Sequence, residues 1–292
     1  MKTTLIEKIV IATFVIFGQL ACFGQSMDVL VDIRPDIIKK EGSFETGFSI
    51  REERGEKILD QCYQAHGWGK IENLKTLSAI YYDDWSSAPE SLKAFNNWPN
   101  ENQKVRHDFY AFKLGFSKVQ LLNGPSKNEI WGVDNKVPYK KINNRLKLID
   151  DLNMIPTLVG KEYFMQLPYW ITKVPLVNYV KDTIVNTKTY HLVYGTWKSP
   201  KANKDFDQYV YWINSKTKFL EVVQYTVRAV APGAYGFVVF DDFKTREGIT
   251  IPFIHRLGYL PTREGIIHEM KFNSFEFNPK DVKDNEIRVL GN

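Results

Sequence analysis

The sequence predicts a mainly β protein of the α+β type, whose largest part is an antiparallel meander between Tyr209 and Phe277. Three observations support this fold class. Apolar and polar residues alternate with period two, β-branched and aromatic residues are enriched, and short turns that carry glycine separate the segments. This combination is typical of consecutive strands joined by hairpins. The predicted strands are Tyr209–Ile213, Phe219–Val227, Phe237–Phe243, Ile249–Leu260 and Ile266–Phe277.

Residues 1–24 have the organisation of a secretory signal peptide. Lys2 and Lys8 precede an apolar stretch from Ile9 to Gly18, and small residues lead to a cleavage point after Gly24. These are the charged, apolar and cleavage regions of such a signal. We therefore predict an exported protein of the periplasm or outer envelope.

The two cysteines predict no disulfide within the exported chain. Cys22 lies in the signal region and has two fates: removal with the signal, or acylation as in bacterial lipoproteins. The acylation motif is a leucine and two small residues directly before the cysteine, and here Leu20 stands one position too late for it. Removal leaves Cys62 as the single cysteine, and its place on the apolar side of a predicted helix indicates a buried thiol.

A single domain is predicted over residues 50–292, after a poorly ordered arm at 25–49 that lacks sustained periodicity. The domain opens with a helix from Glu52 to His66, because apolar residues recur there at helical spacing and Gly67 provides a stop. We expect His66 to cap the last carbonyl groups of this helix.

Strand patterns resume after this helix. Between residues 86 and 102 the sequence is rich in turn formers. A hairpin is expected to turn at Asp134-Asn135. The predicted strands and hairpin of this region are Thr76–Trp85, Val105–Phe116, Lys118–Asn123, Glu129–Lys141, Val177–Val185 and Tyr190–Trp197.

One helical insertion, at about residues 146–177, interrupts the strands. Its apolar residues recur at helical spacing, and Pro156, Gly160 and Pro168 divide it into short helices. The insertion is thus expected to pack as a unit against the sheet.

Composition and charge exclude several classes of function. The net charge is +5 with Lys and Arg scattered along the chain, which gives no support for a nucleic-acid partner. The apolar stretch near the N-terminus is shorter than the ~20 residues of a membrane span, so membrane association is peripheral at most. Hydrophobic residues make up 43% and aromatic residues 14%, enough for a large core.

The order of these elements resembles the outer-membrane lipoprotein-carrier superfamily of Gram-negative bacteria, the LolA/LolB type, and especially its uncharacterised secreted relatives. The resemblance spans roughly residues 52 to 280. The segments that match in kind are Ala65-His66-Gly67, Tyr163–Pro168, Asp207–Lys218 and Glu247–Phe253.

The resemblance implies a strongly curved antiparallel sheet that forms an incomplete barrel. Its concave apolar face would be covered by the N-terminal helix and the insertion, and the cavity between them would receive acyl chains. The insertion would act as a lid or plug. The chain departs from the carriers in two respects. No basic residue within an apolar strand matches the arginine that they use for lid control, and the insertion is long.

The predicted function is therefore an exported envelope protein that binds a hydrophobic ligand, such as a lipid or lipidated peptide, without a cofactor or metal. Apolar and aromatic side chains around the insertion are the candidate binding residues. Tyr211 and Trp212 point to opposite faces of a strand, so at most one of them faces the cavity. The candidates are Trp131, Phe164, Met165, Leu167, Trp170, Trp212, Phe240 and Phe253.

Two alternatives stay open at this point. In the first, the aromatic residues form a filled core, and the protein is a non-catalytic interaction module whose loops near Trp98 and residues 198–207 bind an envelope partner. In the second, His255 and His268, with Glu269 or Asp242, form a hydrolase or metal site. No catalytic signature is present, so we expect a protein that is not an enzyme.

Overall fold

Thirteen antiparallel strands form one open sheet, as in a half-barrel. The computed structural model describes residues 52–71, 73–150, 154–197, 207–226, 235–259 and 265–291. The predicted signal peptide, the arm at 25–49 and Cys22 lie outside these residues. The strands are β1 (Thr76–Asp84), β2 (Asn102–Tyr110), β3 (Phe116–Leu121), β4 (Ile130–Asp134), β5 (Val137–Ile142), β6 (Arg145–Leu148), β7 (Leu176–Val185), β8 (Lys188–Thr196), β9 (Gln208–Asn214), β10 (Leu220–Thr226), β11 (Tyr235–Arg246), β12 (Ile249–Gly258) and β13 (Ile266–Phe277).

The strand order across the sheet is β6-β5-β4-β3-β2-β1-β13-β12-β11-β10-β9-β8-β7. Strands β9 to β13 are the meander that the sequence predicts, each paired with the next. Strand β1 pairs with β13 and joins the meander to the first strands. The two edges are β6 and β7, and the insertion is the segment of chain that connects them.

The first helix, α1, spans Glu53–His66 and confirms the sequence prediction. Glu52 is its N-cap, and its carboxylate accepts hydrogen bonds from the backbone N–H groups of Arg54 and Gly55. Gly67 ends the helix with a φ of 74°, a left-handed conformation that glycine adopts at little cost. Cys62 is fully buried, as expected.

His66 does not cap the helix as predicted. Its ring is buried, with Nδ1 at 2.8 Å from the carbonyl oxygen of Thr250 and Nε2 at 3.1 Å from the backbone nitrogen of Leu220. Burial lowers the pKa of His66 to about 4, so the imidazole is neutral near pH 7. The residue therefore joins α1 to two strands instead of interacting with the helix dipole.

The insertion begins later than the sequence predicts. Residues 145–148 form the edge strand β6, and helix α3 spans Met154–Met165. The short helix α4 (Leu167–Trp170) and a 3₁₀ turn (Ile171–Lys173) follow. The Arg-Leu-Lys-Leu sequence of β6 alternates with period two, which is the strand period, although its two leucines also fit the helical spacing of the residues that follow.

Two further sequence predictions need correction. The strand predicted over Val105–Phe116 ends at Tyr110, because a turn at residues 111–115 places Phe112 and Gly115 at positive φ. The turn-rich segment after β1 contains a short helix, α2 (Glu90–Lys93). Trp98 in this segment is 5% exposed, so its own side chain contributes to the core.

Apolar side chains form two clusters on the inner face of the sheet and one on its outer face. The first inner cluster joins β1–β4, β12 and β13 to α3, and includes Leu77, Tyr81, Val105, Phe109, Trp131, Leu158 and Phe272. The second joins β7–β11 to α1 and the insertion, and includes Leu59, Cys62, Tyr163, Leu167, Val193, Tyr211 and Phe240. The outer cluster comprises Tyr190, Leu192, Tyr194, Val210, Trp212, Val222, Tyr235 and Phe237.

The other helices are short. Helix α5 (Asp284–Ile287) follows β13 near the C-terminus. Within the described residues, no helix is long and apolar enough to cross a membrane.

Candidate functional site

The eight predicted binding residues fall into three groups. Trp131, Met165 and Phe253 belong to the first inner cluster. A second group packs in or against the second inner cluster and contains Phe164, Leu167, Trp170 and Phe240. Trp212 lies in the outer cluster, so its neighbour Tyr211 is the residue of that pair that faces the insertion.

Half-buried aromatic rings surround the second group at one end of strands β8–β11. We call this set the aromatic mouth: Phe164, Trp170, Trp197, Tyr209 and Tyr225. Tyr163 of α3 and Tyr211 of β9 are buried beneath it. The mouth is a place where the second inner cluster reaches solvent.

Tyr163 is the centre of the contacts within the mouth. Its ring centroid lies 5.7 Å from that of Phe164, 5.8 Å from that of Tyr209 and 6.4 Å from that of Trp170. Phe164 also lies 5.1 Å from Tyr225. Edge-to-face and offset contacts at these distances are favourable for aromatic rings, so aromatic rings from the insertion and from the sheet pack against each other here.

Two glycines make room for the tyrosines of the mouth. Gly195 pairs with Tyr209, and a Cβ atom at Gly195 would lie 2.8 Å from the ring of Tyr211. Gly236 pairs with Tyr225, and a Cβ atom there would lie 2.9 Å from that ring. Because these two glycines carry no side chain, the rings of Tyr211 and Tyr225 can lie across the neighbouring strands.

The phenol groups of the mouth are uncharged at neutral pH. Burial raises the pKa of Tyr163 to about 12. Burial is also the main reason that the pKa values of Tyr209, Tyr211 and Tyr225 lie above their ordinary range. The mouth thus offers an apolar surface with neutral hydroxyl groups, a combination that suits uncharged parts of a lipid.

Polar contacts hold the other side of the insertion to the sheet. Lys161 Nζ lies 3.0 Å from Asp83 Oδ2 on β1. The same carboxylate accepts a hydrogen bond of 2.7 Å from the Trp98 indole, and its other oxygen lies 2.6 Å from His268 Nδ1. Burial alone would raise the pKa of Asp83, but Lys161, His268 and Trp98 lower it well below its usual range.

Glu162 and Gln166 attach the insertion to the turn between β2 and β3. Glu162 Oε2 accepts a hydrogen bond of 2.8 Å from the N–H of Gly115, and Gln166 Oε1 accepts one of 2.7 Å from the N–H of Phe112. Burial raises the pKa of Glu162 to about 7. Together with Lys161, these two residues are called the polar anchors.

A buried histidine faces the anchor Glu162. His107 Nε2 lies 4.0 Å from Glu162 Oε1, and His107 Nδ1 lies 3.2 Å from the Tyr81 hydroxyl. Burial, with the nearby Lys161 as the second cause, lowers the pKa of His107 to about 3. A neutral imidazole therefore faces a carboxyl group that titrates near neutrality.

The alternative of a site built on His255 and His268 finds no support in the contacts of the two histidines. His255 pairs with Met270, and His268 pairs with Leu257, two residues further along the same strands. His255 contacts the rings of Phe240 and Phe272, whereas His268 binds Asp83. In the part of the chain that the structure describes, no group of three or more His, Cys, Asp or Glu is arranged to hold a metal ion.

An open cleft of about 680 Å³ lies on the outer surface of α1, away from the mouth. All seven lining residues are polar or charged by type, and five of them carry a charge. The lining residues are Glu53, Glu56, Lys57, Asp60, Gln61, Gln64 and Lys218.

Several residues of the site were missed from the sequence. Tyr209 and Tyr211 alternate on one face of β9, and this period could have placed both of them beside Phe164. Trp197 at the end of β8 gives no such signal, because its distance from the insertion depends on strand pairing. Lys161 and Glu162 are ordinary polar residues in sequence, and only tertiary packing makes them anchors.

Comparisons with known proteins agree with this architecture. The model of a family of unknown function, DUF6503, matches residues 99–242. No curated protein matches the sequence.

Solved structures show what the fold is similar to. A domain of Vibrio parahaemolyticus described as an outer membrane lipoprotein-sorting protein has a TM-score of 0.51 and 12% identity, covering 81% of this chain and 97% of that one. A LolA superfamily protein from Nitrosomonas europaea has a TM-score of 0.48 and 8% identity, covering 80% and 96%. The first of these confirms at the level of fold the resemblance that the sequence predicts.

Proposed function

We propose that this protein binds a hydrophobic ligand, a lipid or lipidated peptide, between the insertion and the inner face of the half-barrel. The observation that carries the proposal is the aromatic mouth. Its five rings are half-buried and lie where the inner apolar cluster meets solvent. An acyl chain that entered there would cover these rings, and burial of apolar area contributes about 25 cal/mol per Å².

The contacts of the insertion support entry at the mouth. The polar anchors hold one side of α3 to β1 and to the turn after β2. On the other side, Phe164 and Trp170 meet the sheet through aromatic rings. Ring contacts can be exchanged for contacts with an acyl chain, because apolar packing has little directional requirement. In this proposal the insertion acts as a lid whose mouth side separates from the sheet.

The location and the absence of catalysis belong to the same proposal. The predicted signal peptide supports a location in the periplasm or outer envelope, where lipids and lipidated proteins are in transit. The mouth contains phenol, indole and phenyl groups and has no pair of nucleophile and base. A binding protein rather than an enzyme is the activity that these groups support.

Native mass spectrometry of the exported protein, with and without a short-chain phospholipid, tests the proposal. We expect a one-to-one lipid adduct. Because both rings are half-buried, the Phe164→Ser/Trp170→Ser variant is expected to bind about 30-fold more weakly. Tyr82→Ser removes a half-buried ring from the outer face, and this control is expected to bind as the parent does. An apo mass that lipid leaves unchanged would refute the proposal.

The second candidate function is an interaction module with a filled core. It is supported by the dense packing around the predicted binding residues, of which Leu167 is 0%, Trp131 6% and Phe253 2% exposed. On this view, Trp170→Ser lowers the free energy of unfolding without affecting any ligand. Thermal denaturation with and without lipid separates the two functions, because lipid raises the Tm only if the folded state binds it.

A further inference from the structure

The hairpin at one edge of the sheet carries a dense group of cations. The segment from Lys136 to Leu148 forms β5, β6 and their turn. It contains no Asp or Glu and five basic residues: Lys136, Lys140, Lys141, Arg145 and Lys147. Among the described residues, none of the five has an acidic partner within ion-pair distance, and Lys140 instead lies 3.7 Å from the centre of the Trp131 ring. The group therefore has unneutralised positive charge.

The same hairpin exposes aliphatic side chains. Leu148 is 55%, Leu146 44%, Ile142 44% and Val137 39% exposed. Register places Leu146 opposite Lys141 and Leu148 opposite Tyr139, so the two leucines share one face of β6. Arg145 and Lys147 alternate with them and point the other way. The edge strand is thus amphipathic, with leucines on one face and cations on the other.

Protection of a sheet edge explains only part of this pattern. Short edge strands often carry lysine, because charge discourages pairing with another chain. Lys147 and Arg145 fit that role, and the positive charge also disfavours pairing with a second copy of the same edge. Exposed leucines work against it, since they add apolar area to an edge that is already open.

We propose that the β5–β6 hairpin docks on the surface of an anionic lipid bilayer. Cations of a surface segment are attracted to anionic lipid, while exposed aliphatic side chains enter the boundary between headgroups and acyl chains. The antiparallel order also puts the Asn143-Asn144 turn at the same end of the sheet as Trp197 and Tyr209. Docking would bring the aromatic mouth toward the membrane.

Vesicle co-sedimentation tests the proposal. We expect the purified protein to bind vesicles of phosphatidylglycerol and phosphatidylcholine, and not vesicles of phosphatidylcholine alone. The binding should weaken as salt is raised, because salt screens surface charge. Lys141→Gln/Arg145→Gln/Lys147→Gln is expected to lower the partition coefficient about 100-fold at low salt. Leu146→Ser/Leu148→Ser is expected to lower it about tenfold.

Two controls make the test specific. Lys57→Gln/Lys75→Gln/Lys280→Gln removes three exposed cations outside the hairpin and is expected to leave binding within about twofold of the parent. Trp170→Ser alters the mouth but keeps the hairpin, so it should retain vesicle binding even if ligand binding is lost. The proposal is overturned if the two triple variants lose vesicle binding equally, or if the parent does not bind anionic vesicles. It is also overturned if the parent is a dimer in sedimentation velocity and the Lys141→Gln/Arg145→Gln/Lys147→Gln variant is not, because the edge would then pair with a second copy.

Discussion

The two sides of the insertion meet the sheet in different ways. Toward β1–β3, which we call the anchored side, Lys161, Glu162 and Gln166 make polar contacts of 3.0, 2.8 and 2.7 Å. Toward β8–β11, the mouth side, half-buried aromatic rings make the contact. Under the proposed function, the mouth side is the one expected to open, because hydrogen bonds and ion pairs on the anchored side depend on exact geometry, whereas ring contacts on the mouth side depend mainly on buried apolar area.

The anchored side is costly to separate. A buried charge that loses its partner keeps the cost of desolvation, and a buried N–H or carboxyl without a hydrogen bond is similarly unfavourable. Rings at the mouth keep much of their apolar burial if an acyl chain replaces the insertion. In the proposed function, the anchored side would therefore serve as the hinge and the mouth side as the entrance.

Loss of the Lys161–Asp83 pair is expected to have the largest effect on the anchored side. Lys161→Met leaves Asp83 buried with only His268 and Trp98, so we expect the free energy of unfolding to fall by roughly 3 kcal/mol. Chemical denaturation measures this change. Lys271→Met removes an exposed pair with Glu269 and should cost less than ~1 kcal/mol. Equal losses in both variants would contradict a special role for the anchor.

The pH dependence of stability sharpens the same comparison. Glu162 has a pKa of about 7 in the fold and an ordinary value of 4.5, so the folded state favours its protonated form. The stabilisation that Glu162 gives to the folded state is complete below about pH 4.5 and is lost as pH rises to about 7. Glu162→Gln removes this titration but keeps an oxygen that can accept from Gly115.

We therefore expect the parent to lose stability relative to Glu162→Gln between about pH 4.5 and 7, by at most ~3 kcal/mol. Denaturation at several pH values measures this difference. His107 acts in the opposite sense, because its pKa is lowered to about 3 and its contribution is lost on acidification. Since both proteins contain His107, its effect largely cancels. Parallel stability curves would show that Glu162 does not titrate in this range.

Two matched glycines provide the smallest expected effects. Each lies opposite a tyrosine, Gly132 opposite Tyr139 near the anchored side and Gly236 opposite Tyr225 at the mouth. A Cβ atom at Gly132 would lie 2.4 Å from the backbone oxygen of Ser117, which cannot move easily, whereas one at Gly236 would lie 2.9 Å from the end of a half-buried ring.

Gly132→Ala is expected to lower the free energy of unfolding by ~2 kcal/mol and Gly236→Ala by less than ~1 kcal/mol. Thermal denaturation of the two variants compares them directly. A larger loss for Gly236→Ala would mean that the mouth is as rigid as the anchored side.

The sequence predicts the fold well where local pattern and tertiary environment agree. Strands β9 to β13 are separated by clear turn signals, and α1 has both a cap and a glycine stop. The bounds of α1, β9, β10 and β13 agree with the predicted ranges to within one residue at each end, whereas β11 begins two residues before its predicted range and ends three residues after it. The prediction fails at β6, because its Arg-Leu-Lys-Leu sequence is short and runs directly into residues with helical spacing. It also fails near Tyr110, where the turn at Phe112 has no glycine or proline at its start.

The candidate site was predicted less completely. Phe164 and Trp170 were identified because the insertion stands out in the sequence. Trp212 was included because alternation separates it from Tyr211 but does not reveal which face is the inner one. Lys161 was missed because its partner Asp83 is far away in sequence, and a buried ion pair of this kind becomes visible only after the strands are placed.

Hydrogen exchange measured by mass spectrometry, with and without saturating short-chain phospholipid, tests most directly whether the insertion opens at the mouth. We expect lipid to change the exchange of amides in α4 and in the ends of β8–β10 around Trp197, Tyr209 and Tyr225. Amides of β1 and of the turn that holds Phe112 and Gly115 should stay as they were. Changes confined to the anchored side, or none anywhere despite bound lipid, would contradict entry through the aromatic mouth.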